Sequence, residues 1–277
     1  RPPSPGKGKR GEDGYLAYLL RQAQAAARLS LDRALTSTGL THPQFVVLTM
    51  LKAYPGLSGA DLARVALLTP QTVNAYYSPS TNTINFPAAI LAPPNFDLTY
   101  DAAANYGATG ATIGHEISHS FDDQGAQFDS EGRLRNWWTP ADLQHFQEAG
   151  EALADQFDTY KPFPDLAVNG KQTLSENIAD VAGLGAALDA YHASLDGKPA
   201  PVIDGLTGDQ RFFLAYAQSW LGYSRPAALR QQLVTDGHAP DQYRAFTVRN
   251  LDAWYDAFGI KPGDSMYLPP EKRVKVW

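Results

Sequence analysis

Two histidines four residues apart are the most chemically suggestive feature of this 277-residue sequence. His115 and His119 lie in the stretch GHEISHSFDDQG, and on a helix this spacing places both imidazoles on one face, one turn apart. Two imidazoles in that relation can bind one Zn²⁺, and Glu116 beside them can act as a base on water at the metal. The alternative is a helix that carries two histidines on its surface or in its core without any metal.

A catalytic zinc site needs a further ligand, because such sites usually take three protein ligands and leave one position open. The sequence contains no cysteine, so the third ligand must be His, Asp or Glu. The stretch TLSENIADVAGLGAALDAY supplies Glu176 as that ligand, and Asp180 shares its helix face and can accept the free N–H of a bound histidine. Alternatively, Thr173 and Glu176 form a capping box at a helix start and the two acids are merely solvated.

The elements that must position these residues are predicted to be mostly helical. The stretch TNTINF alternates like a strand, with Ile84 and Phe86 on one face. The sequence therefore predicts a mainly α fold with a small β-sheet, in the α+β class. Apolar periodicity and capping signals predict helices over 15–35, from Thr41 to the residues before Pro55, from Ser58 onward, and over Asn105–Asp122, Pro140–Tyr160, Thr173–Leu195, Gly208–Leu221 and Ala227–Val234.

Composition limits the possible classes of function. The net charge of -6 argues against a globally basic nucleic-acid binder. The sequence has no apolar run of about 18 residues, so no membrane span is expected, and no signal peptide is visible at its start. We predict a disordered tail over 1–14, a helical segment over 15–70 and a catalytic domain over 71–277.

The helical segment resembles the front half of a MarR-type winged helix-turn-helix regulator, in which LTPQTVN would open the recognition helix. The basic helix and β-wing of that family do not follow, because Pro79, Pro87, Pro93 and Pro94 interrupt any long helix. Binding to nucleic acid is therefore not expected, and a structural role for the three predicted helices is favoured.

The rest of the chain resembles the neprilysin and endothelin-converting enzyme family of zinc endopeptidases. The resemblance covers about 69–277 and rests on motifs in the family's order: VNAYYSPSTNTINFPAAIL, GHEISHSFDDQG, LRNWW, VNGKQTLSENIADVAGL, DQRFFLAYAQSW and VKVW. It implies a thermolysin-like zincin fold and one zinc ion per chain, bound by His115, His119 and Glu176. It also implies that Glu116 activates water at the zinc.

The same resemblance assigns further residues. It implies that Asp180 orients His115 and that Asp122 serves the other histidine. His238 would stabilise the oxyanion formed during peptide cleavage, and Arg244 would bind a substrate carbonyl. Asn74 and Ala75 would hold the substrate as an added strand.

The resemblance also implies a specificity pocket, and cleavage on the amino side of hydrophobic residues. Ile90, Ala111, Thr112 and Trp220 match the positions that line this pocket, and peptides are the expected partners. The absence of cysteine favours a bacterial type of enzyme. The compartment stays open, since the family suggests export and the regulator-like segment suggests cytoplasm.

The helical domain that closes over the active site in that family has no counterpart in the 70 residues before the catalytic part. Three hypotheses follow: an open zinc peptidase, a DNA-binding regulator with an appended domain, and an inactive truncated chimera that retains the zinc site. The zinc peptidase is favoured because its ligands and its base are all present.

Overall fold

The computed structural model describes residues 30, 31, 33–36, 42–53, 74–93 and 95–276. The chain divides into two compact units, Arg1–Val73 with Pro87–Ala89 and Asn74–Phe86 with Ile90–Trp277. In the first unit, helix α1 (His42–Ala53) has the predicted proline in its first turn. Most of the regulator-like segment, including its recognition stretch and the helix predicted from Ser58, lies outside the described residues, as does the predicted tail.

The second unit is mainly helical with one small sheet, which confirms the predicted α+β class. The sheet pairs β1 with β2 in antiparallel register, with Tyr77 opposite Ile84. Its elements are β1 (Tyr76–Ser78), β2 (Thr83–Asn85), α2 (Ala102–Asn105), α3 (Ala111–Ser118), α4 (Pro140–Asp158), α5 (Leu174–Ser194), α6 (Gly208–Ser219), α7 (Pro226–Thr235), α8 (Asp241–Ala245) and α9 (Asp252–Phe258). Among the described residues, no helix has the length and apolar character needed to cross a membrane.

The helix predicted over Asn105–Asp122 is divided in the structure. Helix α2 continues through a π-turn at Tyr106–Gly110 into α3, and a 3-10 turn at His119–Phe121 ends the run. The run stops because Asp122 adopts an extended backbone and its carboxylate accepts the backbone N–H of Gly125 at 2.6 Å. A side chain that satisfies nearby N–H groups in this way competes with helix continuation.

Helix α5 begins and ends within one residue of its predicted bounds, but the capping box considered for its start does not form. Thr173 is the residue before the first turn and makes no side-chain cap. Its hydroxyl instead donates to the carbonyl of Asn169 at 3.1 Å and accepts from the side chain of Asn177 at 2.9 Å. Glu176 is therefore not used as a cap and remains available for other contacts.

The core of the second unit is organised around α5. Its first half buries Ile178 and Val181 in one apolar cluster, which also contains Phe157 of α4. Its second half buries residues such as Tyr191 in another cluster, beside Phe212 of α6. A helix buried on several sides can hold its side chains in fixed positions, because its own orientation is set by packing in both clusters.

Two glycines allow α5 to cross α3 at backbone contact. A Cβ atom on Gly114 would lie 2.3 Å from the carbonyl oxygen of Gly183, and a Cβ on Gly183 would lie 2.3 Å from the backbone nitrogen of His115. Such distances are far inside van der Waals contact, so no larger side chain fits at this crossing. The crossing therefore sets how closely the residues of the two helices approach each other.

We expect Gly183→Ala to destabilise the folded chain by about 3 kcal/mol, because overpacking here would push backbone against backbone. Gly185→Ala is the matched control, since a Cβ at Gly185 has no atom within 4 Å. That control should be neutral or stabilising by about 0.5–1 kcal/mol, because alanine favours a helix more than glycine. Urea unfolding of the metal-free proteins measures both effects. Equal stabilities for the two variants would contradict the close crossing.

Candidate active site

The two histidines of the HExxH motif converge on one point. His115 lies on α3 and His119 opens the 3-10 turn that follows, so they sit one turn apart on the same side. Their rings meet edge to face with centroids 4.6 Å apart, and the two Nε2 atoms are 3.0 Å from each other. The sequence spacing thus produces the paired imidazoles that a metal site requires.

Each histidine is oriented by a carboxylate at its other nitrogen. The Nδ1 of His115 lies 2.7 Å from Asp180 Oδ1, and the Nδ1 of His119 lies 2.6 Å from Asp122 Oδ2. Because an ionised carboxylate accepts only, each Nδ1 is assigned a proton, and each Nε2 faces the other ring. Two ring nitrogens 3.0 Å apart need a cation at the point where they meet, either a proton on one ring or a metal ion bound by both.

Glu176 of α5 completes this group. Its Oε2 is 3.2 Å from His115 Nε2 and its Oε1 is 3.7 Å from His119 Nε2. The Oε2 atom is buried and makes no properly directed hydrogen bond with the described residues. The ligand atoms of the three residues lie within 4.8 Å of one another. Two imidazoles and one carboxylate form the donor set of a catalytic zinc site, and the unsatisfied oxygen shows that these residues fit such an ion.

Negative charge accumulates around the two imidazoles. Burial opposes the ionisation of Asp180 and Glu176, but the cationic groups beside them outweigh it and lower both pKa values. Burial alone would lower the pKa of His115, but Asp180 and Glu176 outweigh it and raise that pKa to about 9. The charges of the site therefore favour a cation at the point where the Nε2 atoms meet.

Glu116 is buried on α3, with 5% of its surface exposed. Burial raises the pKa of its carboxyl, while the positive charges of His115 and His119 act in the opposite direction. It is not one of the three residues whose ligand atoms cluster. Its position beside the two histidines, without joining them, suits a base more than a ligand.

Arg244 and His238 approach the site from the C-terminal part of the chain. The guanidinium of Arg244 donates from Nε and one terminal nitrogen to the two oxygens of Asp180, each at 2.8 Å. It also stacks on the ring of Trp220 at 4.2 Å. The Nε2 of His238 lies 3.2 Å from Glu176 Oε2. Although they follow α5 by more than 40 residues, both side chains reach the ligand cluster.

The remaining predicted residues lie just before β1, in the 3-10 turn Ala88–Leu91 and on α3. Asn74 and Ala75 directly precede β1, and the Asn74 side-chain oxygen accepts the backbone N–H of Ala75 at 3.0 Å. Strand β1 lies against α3. Ile90 is buried. Thr112 lies one helical turn before Glu116, and its hydroxyl donates a hydrogen bond to the carbonyl of Ala108.

Two functional contacts escaped sequence reasoning. The carboxylate of Asp236 accepts from both the backbone N–H and the Nδ1 of His238, at 2.9 and 2.7 Å. The hydroxyl of Ser175 donates to Asp122 at 2.5 Å across 53 residues of sequence. The Asp-x-His spacing signals the first contact, because an Asx-type turn joins residues two apart. Nothing local signals the second.

Comparisons with known proteins agree with this geometry. Residues 74–274 match the model of Peptidase family M13. The chain is 42% identical over 216 residues to Neprilysin-11 of Caenorhabditis elegans, covering 76% of this chain and 25% of that protein. It is 40% identical over 215 residues to human Endothelin-converting enzyme 1, covering 76% and 27% respectively.

Solved structures lead to the same family. The structure of the Mycobacterium tuberculosis zinc metalloprotease Zmp1 with an inhibitor superposes on this chain with a TM-score of 0.73. The two sequences are 51% identical, and the match covers 75% of this chain and 33% of the Zmp1 chain. The chain therefore spans about a quarter to a third of the length of these relatives. The matched region includes both histidines of the motif and Glu176. This chain belongs to peptidase family M13.

Proposed function

We propose that this chain is a zinc-dependent endopeptidase that cleaves peptides on the amino side of hydrophobic residues. The observation that carries the proposal is the convergence of His115, His119 and Glu176 on one point. One zinc ion per chain would be held by these three residues. When bound, it supplies a Lewis acid that polarises a carbonyl and makes water acidic near neutral pH.

The residues around the ligands divide the remaining chemistry. The buried carboxylate of Glu116 takes the proton of the attacking water and delivers it to the leaving amine, as a general base and then a general acid. His238, oriented by Asp236, donates to the oxyanion that develops on the scissile carbonyl. The two groups come from different elements, Glu116 from α3 and His238 from the loop before α8.

Arg244 binds a substrate carbonyl in this proposal. Its bond to Asp180 and its stacking on Trp220 fix the plane of the guanidinium, so one terminal nitrogen is left to donate to substrate. The same contact with Asp180 steadies the carboxylate that orients His115. A single arginine thus supports both the metal site and the substrate.

Substrate would lie along the edge of β1. The backbone at Ala75 and the side chain of Asn74 offer donors and acceptors to an extended peptide, which then adds a strand to the sheet. Ile90, Thr112 and Trp220 would line the pocket for the hydrophobic side chain that follows the cut. Repeated main-chain bonds give affinity in such binding, and the pocket gives specificity.

The direct test is cleavage of a fluorogenic peptide by the purified chain, with and without a chelator. We expect cleavage before hydrophobic residues, loss of activity with 1,10-phenanthroline and recovery with added zinc. Metal analysis of the folded protein should give about one zinc per chain. A folded chain that binds no zinc would overturn the proposal. Cleavage that persists without metal would also overturn it.

A further inference from the structure

Both histidines of the metal site are connected to α5, but by different routes. His115 reaches α5 directly, since Asp180 belongs to that helix and accepts its Nδ1–H at 2.7 Å. His119 reaches Asp122, which follows it by three residues and belongs to the same stretch of chain. Asp122 alone therefore gives His119 no connection to the helix that carries Glu176.

Ser175 supplies that connection. It lies in the first turn of α5, directly before Glu176, and its hydroxyl donates to Asp122 Oδ2 at 2.5 Å. The contact joins a hydroxyl of one helix to a carboxylate of another segment of the chain. A serine in the first turn of a helix commonly bonds to its own backbone, whereas this hydroxyl donates to a residue 53 positions away.

The hydrogen bonding of Asp122 shows how much depends on this hydroxyl. The carboxylate is buried, with 3% of its surface exposed. Its Oδ1 accepts the backbone N–H groups of Gln124 and Gly125, and its Oδ2 accepts from His119 and Ser175. These four donors use the acceptor sites of a carboxylate fully. Loss of the serine hydroxyl would leave a buried, charged oxygen with one donor fewer.

We propose that Ser175 is a positioning residue of the metal site: its hydroxyl ties Asp122, and through it His119, to the helix that bears Glu176. The contacts form a closed cycle, because Ser175 and Glu176 share a peptide bond while His119 and Glu176 face the same point. In such a cycle, rotation of His119 breaks its bond to Asp122 or the bond between Asp122 and Ser175, unless the first turn of α5 moves with it. This inference rests on the proposed zinc function.

The test measures zinc affinity by competition with a chromophoric chelator in the full chain. Ser175→Ala should weaken zinc binding about tenfold, the lower end of the effect of removing partners of metal ligands. Ser194→Ala is the matched control at the other end of α5, where the hydroxyl donates to the carbonyl of Tyr191 in the same helix, and zinc affinity should not change. Ser175→Thr keeps the hydroxyl and should recover most of the affinity.

Two further measurements separate positioning from general stability. The absorption spectrum of the cobalt-substituted protein should change in Ser175→Ala and not in Ser194→Ala, because it reports the geometry of the ligands. Metal-free Ser175→Ala should unfold at a somewhat lower temperature than metal-free Ser194→Ala, because Asp122 loses a donor, so zinc affinity is compared at a temperature at which both metal-free proteins are folded. If zinc affinity falls only in proportion to metal-free stability, or the cobalt spectrum is unchanged, the positioning role is overturned.

A double-mutant cycle tests whether Ser175 acts through Asp122. If it does, adding Ser175→Ala to Asp122→Asn should cost little further zinc affinity, since coupled residues are not additive. Fully additive losses would overturn the proposal. Failure of the wild-type chain to bind zinc would instead overturn the proposed function, so the two failures are distinguishable.

Discussion

Replacing Glu116 with glutamine is expected to lower kcat for peptide cleavage by on the order of 10³-fold, within the range that general acid–base groups contribute. The amide keeps the shape of the side chain but cannot take a proton from water. Zinc affinity should stay at the wild-type level, because Glu116 lies outside the cluster formed by His115, His119 and Glu176. Steady-state cleavage assays measure kcat, and metal titration of the same preparation measures zinc affinity.

The control for this variant is Glu151→Gln, which makes the same chemical change at an exposed position of α4. That variant should cleave peptide at the wild-type rate. The metal-free Glu116→Gln protein should also unfold at a higher temperature than wild type at neutral pH, because burial raises the pKa of Glu116 despite the nearby positive charges and so makes its ionised form costly. Wild-type turnover in Glu116→Gln would remove Glu116 from the role of base.

The second large effect is expected from Glu176→Gln, which should weaken zinc binding by on the order of a hundredfold. Four-ligand structural zinc sites are worth about 10–16 kcal/mol, so the loss of one ligand costs about 3 kcal/mol, or roughly two powers of ten in affinity. The neutral amide also removes the negative charge that faces His115, His238 and Arg244. Cleavage at limiting zinc should fall accordingly and recover in part when zinc is added in excess.

Glu148→Gln is the control for the ligand variant. Glu148 lies on α4, is exposed and accepts only from Gln144 among the contacts that the structure describes. Its replacement should leave zinc affinity unchanged. Zinc binding by Glu176→Gln that equals wild type would mean that the third ligand lies elsewhere in the chain.

Sequence reasoning was most successful where the relevant interactions are local. The spacing of His115 and His119 predicts paired imidazoles, because helix geometry alone brings residues four apart together. The bounds of α5 were predicted within one residue. The helix predicted to end at Asp122 does stop there, but the run is divided, since α3 ends at Ser118 and a 3-10 turn leads to Phe121. The regulator-like segment stays a hypothesis, as most of it lies outside the described residues.

The role of Glu176, as a helix cap or as a metal ligand, cannot be predicted from the residues next to it in sequence. The pattern T-x-x-E is compatible with both roles, and the residues near it do not distinguish them. The structure distinguishes them because α5 crosses α3 at backbone contact and places Glu176 beside His115. A capping box does form elsewhere, between Thr207 and Gln210 of α6, where the side chain of Gln210 also donates to the carbonyl of Ala257 at 2.8 Å.

By itself, the sequence determined the donor types of the site, the helices that carry them and the paired histidines, because these follow from residue identity and helical periodicity. Only the tertiary structure decided that Ser175 donates a hydrogen bond to Asp122 and that Arg244 donates to both carboxylate oxygens of Asp180. These pairs are separated by 53 and 64 residues. Their contact depends on how the helices pack in the core, and packing is a property of the whole chain rather than of any segment.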